Sequence, residues 1–223
     1  MLSNSGSSPL NAIYKKISGL EQLEEMRFPV PAYQVIDITE DKPHELRKYL
    51  LDKVWKLQIP HDAGNVVGVT IRVSMPGFLD KLTTHGGLHV TDMNDILAGI
   101  VAKYRQYGPS SKIVVQHTVD ARCSGAVLKE DNCCVVETIP GDAPPLLEGH
   151  STDFERWGFQ LTTGEWKKER IYKMGDKKES VLSQGDLKKL EKYLRMLPCN
   201  AYLEWSISKR DKLLFYEYCK LNN

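Results

Sequence analysis

The stretch AYLEWSISKRDKLLFYEYC, residues 201–219, reads as two strands around a charged turn. AYLEWSIS and KLLFYEYC are rich in the aromatic and aliphatic side chains that suit a pleated, half-buried surface. Each run carries one internal acid, Glu204 and Glu217, and the short connection sets the two side by side on one face. Two hard carboxylates at that separation are a donor set for Mg²⁺ that also bridges phosphate oxygens. The plainer reading is a pair of solvated residues on the polar face of a hairpin, and spacing alone favours it.

Working back from this hairpin, Ser183-Gln-Gly-Asp186 opens a helix that runs to Leu197, with Asp in the third position of a capping box. Before it, FERWGFQL and EWKKERIY flank the hairpin signal Thr163-Gly164. Ile113–Val119, Gly125–Lys129 and Cys133–Ile139 read as consecutive strands joined by short polar turns. Glycines at THGG (84–87), SG (124–125), PG (140–141) and EG (148–149) punctuate this region, as turn residues or as places where backbone amides approach an anion.

The first half is more helical. Leu10, Ile13, Ile17, Leu20 and Leu23 recur at helical spacing until Phe28-Pro-Val-Pro31 stops the helix. Tyr33–Ile38 follows as a strand, then a helix from Pro43 to Leu57 and a strand over Val66–Val73. The turn Met75-Pro-Gly77 comes next, then a helix from Met93 to Tyr107 that Gly108-Pro109 ends. Helices with strands, then a strand-rich half with one late helix, predict an α+β fold of two lobes rather than a parallel α/β sheet.

Composition narrows the function classes. The chain of 223 residues is 41% hydrophobic and 26% charged, with 30 Lys and Arg against 29 Asp and Glu. That balance supplies no general attraction to nucleic acid or an anionic membrane. The basic and aromatic run Trp166-Lys-Lys-Glu-Arg170 is better read as an exposed hairpin face. The N-terminus lacks a basic start and apolar core, and no run approaches the roughly 18 apolar residues of a membrane span. Five cysteines without a C-x-x-C pair read as reduced thiols of a cytoplasmic protein.

Among six histidines, His85 and His89 are the closest pair, but the intervening glycines spoil a helical metal-ligand spacing and no third ligand matches. Cys123 with His117 is a conceivable nucleophile pair, for which no nucleophile elbow speaks. Neither G-x-x-x-x-G-K-[ST] nor G-x-G-x-x-G occurs. Lys16, in the first turns of its helix, and Arg72, at a strand end, are placed for phosphate contact, although both residue types are more often surface charges.

Five stretches, in order, resemble the nucleotide-binding part of phosphoenolpyruvate synthase and pyruvate phosphate dikinase, an ATP-grasp-type fold. KISGLEQLEEMRFPVPAYQVI resembles the opening helix with its lysine and the Pro-x-Pro entry to a strand. VTIRVSMPGFLDKL resembles the strand-end arginine and S-M-P-G turn, and KIVVQHTVDARCSGAVL the V-V-Q-x-x-V hinge. VVETIPGDAPPLLEGHSTDFERWGFQLTTGEWKKERI is similar to E-x-x-x-G followed by a strand-turn-strand with T-G-E. AYLEWSISKRDKLLFYEYC resembles the closing D-I-E-W-A and L-Q-x-R strands.

The resemblance implies ATP and Mg²⁺ as cofactors, held between an N-terminal α+β lobe (10–110) and a C-terminal β-rich lobe (111–223), with residues 1–9 as a loose leader. Lys16 and Arg72 become phosphate ligands with catalytic roles. Gln116, His117, Thr118 and Val119 form the hinge beside adenine, Glu137 lies near the ribose, and Glu204 and Glu217 hold the metal. The implied activity is a phosphotransferase half reaction whose acceptor is a small molecule or a histidine on a separate phosphohistidine-carrier protein. Phosphohistidine and phosphoenolpyruvate domains are not expected within this chain. Glu217 stands where the family has glutamine, and Cys219 where it has arginine. The missing cation gives a second reading, a catalytically inactive nucleotide-sensing or interaction module, and a third, a scaffold that has lost ATP.

Overall fold

Thirteen elements lie within residues 15–37, 48, 66–74, 88–90, 93–108, 111–142, 146, 154–171 and 180–221, which the computed structural model describes. In chain order they are α1 (Lys15–Glu25), β1 (Tyr33–Asp37), β2 (Val66–Ser74), β3 (Leu88–Val90), α2 (Met93–Tyr107), β4 (Lys112–Val119), β5 (Ala121–Lys129), β6 (Cys133–Pro140), β7 (Glu155–Gln160), β8 (Trp166–Ile171), α3 (Gln184–Met196), β9 (Ala201–Ser208) and β10 (Leu213–Lys220). Apart from Lys48, the helix expected over 43–57 falls outside the described residues, as do the Met75-Pro-Gly77 turn and the THGG stretch at 84–87.

The strands form two sheets, ordered β1-β4-β2-β3 and β10-β9-β5-β6-β7-β8, and every pairing is antiparallel. The fold class is therefore α+β, with helices segregated onto sheet faces. In the four-stranded sheet, Val69, Ile71, Val73, Ile113, Val115 and Ile36 pack against Ile96, Leu97 and Ile100 of α2. Its opposite face meets α1, where Ile17 and Leu20 pack on Val114. Helix α2 ends where Gly108 takes a positive φ of 77°, and its N–H donates to the Tyr104 carbonyl.

The six-stranded sheet has its own core, in which Val127, Val136, Leu203, Trp205, Phe159 and Phe215 face Leu187, Leu190 and Leu194 of α3. The expected capping box is present: Asp186 N–H donates to Ser183 Oγ, and Asp186 Oδ2 accepts from the Ser183 N–H. At the other end, Lys129 is buried and its ammonium donates to the Leu194 and Leu197 carbonyls, a cation at the negative end of the helix.

Two expectations change. β5 begins at Ala121, not Gly125, so Gly125 lies inside a strand. A Cβ there would collide with the Glu137 carbonyl and the Trp205 ring, so this glycine serves close packing and not a turn. The short strand β3, not anticipated from the sequence, pairs with β2 at Val69–Ile71.

The chain passes between sheets through one residue, Asp120, which separates β4 from β5. The Lys209 N–H donates to the Asp120 carbonyl, and its ammonium lies 2.8 Å from the Asp120 carboxylate. Helix α1 makes the second link, packing mainly along β10. Gly19 permits that approach: a Cβ there would sit 2.5 Å from the Tyr218 carbonyl oxygen.

Candidate functional site

Cross-strand register places a row of side chains on the sheet face opposite α3. Arg156 (β7) pairs with Glu137 (β6), Glu137 with Ala126 (β5), Ala126 with Glu204 (β9), and Glu204 with Glu217 (β10). Partners in an antiparallel register point to the same side, about 5 Å apart at Cβ. The small Ala126 thus sits between acids on either side.

Glu217 reaches this row only because β10 is irregular. Phe215 pairs with Trp205 on the core side, and simple alternation would turn Glu217 to that side as well. A register shift between Phe215 and Glu217 inserts Tyr216 as an extra residue, so Glu217 pairs with Glu204 instead. The Tyr216 hydroxyl, pushed up to about 12 by burial, hydrogen-bonds with Ser206, the next residue along β9 on the Glu204 side.

Two cations from the other half of the molecule converge on Glu217. Lys16 Nζ of α1 donates to Glu217 Oε2 at 2.8 Å, and Arg72 Nη1 of β2 lies 3.9 Å from the same oxygen. Lys16 and Gly19 are three residues apart and share a face of α1, so the close approach at Gly19 is what brings Lys16 to the acid. Glu204 has a poorer environment: it accepts a hydrogen bond from the neutral Tyr202 hydroxyl at 2.9 Å.

This asymmetry separates the two carboxyls electrostatically. Burial, and then the neighbouring charge of Glu217, push Glu204 up to about 7 against the pull of Arg72, Lys16 and Tyr202. Burial also disfavours the charge on Glu217, but Lys16 and Arg72 outweigh it and hold that carboxyl below its usual range. Burial and the charges of Glu204, Glu217 and Glu137 raise the Tyr202 hydroxyl well above its ordinary value. The Tyr202 hydroxyl thus keeps its proton and donates a hydrogen bond to Glu204.

Lys16, Arg72, Glu204 and Glu217 thus stand together. Glu137 lies in the same row beyond Ala126, held by Arg156, whose Nε donates to it at 2.9 Å. The hinge residues lie at the end of β4, where the sheets meet. Gln116 pairs with Thr70, two residues from Arg72 on one face of β2, and the Thr70 and Thr118 hydroxyls are 2.6 Å apart. His117 and Thr118 are buried, and Val119 is core. The Gln116 side-chain nitrogen is buried without a hydrogen-bond partner among the described residues, a state that costs about 1–3 kcal/mol until an acceptor arrives.

Tyr202, Tyr216 and Arg156 are site residues that the sequence reading missed. Tyr202 was discoverable, since two residues before Glu204 on one strand is the same face. Arg156 required the β6–β7 register, and Tyr216 the bulge. Cys123 is no nucleophile: it is fully buried, and burial pushes its thiol up to about 11. Among the described residues no group of three or more His, Cys, Asp or Glu is gathered for a metal, and no helix is long and apolar enough to cross a membrane.

Neither a family model nor a curated protein matches the sequence. Solved structures do match. VanG D-Ala:D-Ser ligase from Enterococcus faecalis aligns at 10% identity and a TM-score of 0.50, covering 93% of this chain and 52% of that one. A Chryseobacterium gregarium RiPP-associated ATP-grasp ligase, in complex with ADP and a leader and core peptide, aligns at 12% identity and a TM-score of 0.48, covering 98% and 55%. N5-carboxyaminoimidazole ribonucleotide synthetase from Thermotoga maritima aligns at 14% and 0.48, covering 95% and 42%. At such identities the likeness is one of fold, and the fold is of the ATP-grasp type. The chain spans about half the length of these solved structures that it matches.

Proposed function

We propose that the face between the two sheets binds ATP with Mg²⁺ and supports phosphoryl transfer from it. The observation that carries the reading is the convergence of Lys16 and Arg72, from one half of the molecule, on the paired acids Glu204 and Glu217 of the other. Cations facing two carboxylates are what a metal-bound triphosphate requires. Two carboxylates fit Mg²⁺ as a donor set, since that ion keeps most of its positions for phosphate oxygens and water. The ion would neutralise phosphate charge. Lys16 and Arg72 would orient the phosphates, Gln116 would give its unpaired N–H to the base, and Glu137 would receive the ribose hydroxyls.

The acceptor comes from outside the described residues. The matched structures are named as ligases and synthetases, which favours a carboxylate acceptor over the carrier-protein histidine that the dikinase resemblance implies. The two-lobe division at about residue 110 and a cytoplasmic location belong to the same reading. Calorimetry with ATP and Mg²⁺ tests it directly: saturable binding, abolished by Arg72→Ala, is expected, and no heat in the wild type rejects it.

A second reading, nucleotide binding without turnover, is favoured by Cys219. This residue stands in place of the dikinase arginine, two residues beyond Glu217, and is the cross-strand register partner of Tyr202. Tight binding with no ATP hydrolysis or autophosphorylation across acceptor types is the outcome that selects it.

A further inference from the structure

We propose that Glu217 makes the cleft selective for metal-bound over metal-free polyphosphate, by occupying its phosphate-binding cations until a divalent ion takes up the carboxylate charge. This deepens the reading above and rests on it. The key geometry is that Lys16 and Arg72 converge on a single carboxylate oxygen, Oε2, at 2.8 and 3.9 Å. Lys16 is buried, at 6% exposed, so it has little water to exchange for that partner. Metal-free triphosphate must therefore break the Lys16 pair and then lie beside a partly buried carboxylate whose charge is no longer balanced.

The second acid sharpens the discrimination. Glu204 is the register partner of Glu217, and it accepts a hydrogen bond from the neutral Tyr202 hydroxyl. Among the described residues, a bare polyanion thus meets two acids, with Lys16 and Arg72 engaged by Glu217 and Arg156 by Glu137. A divalent cation on the two carboxylates reverses both penalties: the acids gain a counter-charge, and Lys16 and Arg72 are released to the phosphates. Metal and polyphosphate then bind with positive coupling, and Glu217 is the specificity-determining residue because, among the described residues, it is the acid that lies against both cations.

The test uses the full chain in calorimetric titrations with ATP and with tripolyphosphate, each in EDTA and in Mg²⁺. In the wild type, Mg²⁺ is expected to tighten both ligands about tenfold or more. Glu217→Gln keeps the side-chain size and removes the charge. It is expected to tighten metal-free tripolyphosphate at least several-fold while erasing most of the Mg²⁺ effect. Equal affinity with and without Mg²⁺ in the wild type overturns the proposal, even if the variant fails to fold. So does a folded Glu217→Gln with unchanged or weaker metal-free binding. Failure of the underlying reading looks different, because then neither ATP nor Mg-ATP binds the wild type.

Discussion

Two settings for acids in the half that carries the six-stranded sheet contrast: the buried Asp186 and Glu155, and the partly buried Glu204. Beneath α3 and at the β7–β8 edge, Asp186 and Glu155 are surrounded by donors. Asp186 accepts from Ser183 N–H, Ser183 Oγ and Arg122. Glu155 accepts from Lys168, the Val181 N–H, Ser180 and the Trp157 indole. Burial works against both charges, yet these contacts hold both carboxyls below their usual range. On the cleft face, Glu204 has one neutral donor and a charged acid beside it, and its carboxyl rises to about 7. A buried acid satisfied by its own neighbourhood is structural. One left short of charge is where, under the proposed function, a cation would bind.

The largest test of that contrast is Asp186→Ala. It removes the capping box and leaves Arg122 with only the exposed Asp211, so thermal or urea unfolding should report a loss of about 3 kcal/mol with nucleotide affinity unchanged per folded molecule. Gly19→Ala comes next. Its methyl meets the Tyr218 carbonyl, so α1 must lift from β10, costing about 2 kcal/mol. Unlike Asp186→Ala it also withdraws Lys16 from Glu217, and Mg-ATP affinity should fall with stability. If affinity is untouched, α1 does not position the cation.

Glu204→Gln should act in the opposite sense. The unfolded chain ionises this residue near 4.5 and the folded protein near 7, so between those values the folded state binds more protons. Stability therefore falls as pH rises through that window. Removing the charge should flatten this limb and raise stability by about 1 kcal/mol at pH 8, while weakening Mg-ATP. Asp186 and Glu155 give the reverse slope: their contribution is full above 4.5 and is lost as the pH falls through their depressed folded values. Unfolding measured from pH 3 to 8 in wild type and Glu204→Gln separates the two limbs.

Much of the frame was legible in the sequence because its signals are local. Helix α2 ends where Gly108 must, and Ser183 caps α3 as the spacing of Asp186 predicts. The antiparallel character followed from the order of short strands. What stayed hidden depends on register across strands distant in sequence. Glu204 and Glu217 were expected side by side, but strict alternation from Phe215 would have turned Glu217 into the core. Only the Tyr216 bulge, which no local residue preference announces, reverses it. Gly125 was misread because a glycine that admits a tryptophan ring looks, in sequence, like one that admits a turn.

The smallest effect belongs to Tyr202→Phe, and it probes how far Glu204 differs from the satisfied acids. The change deletes one hydroxyl, which donates to Glu204 Oε1, and leaves the ring beside Cys219 and Leu128. Stability should fall by about 1 kcal/mol or less, the net value of a hydrogen bond to a carboxyl that is itself only partly charged near neutral pH. The carboxyl loses its orienting contact, so Mg²⁺-dependent ATP binding should weaken several-fold while ATP binding in EDTA stays constant. Equal weakening in both conditions would show that Tyr202 supports the sheet and not the acid. Tyr202 would then join the contacts that build the fold, leaving Glu204 with no fixed partner until a cation binds.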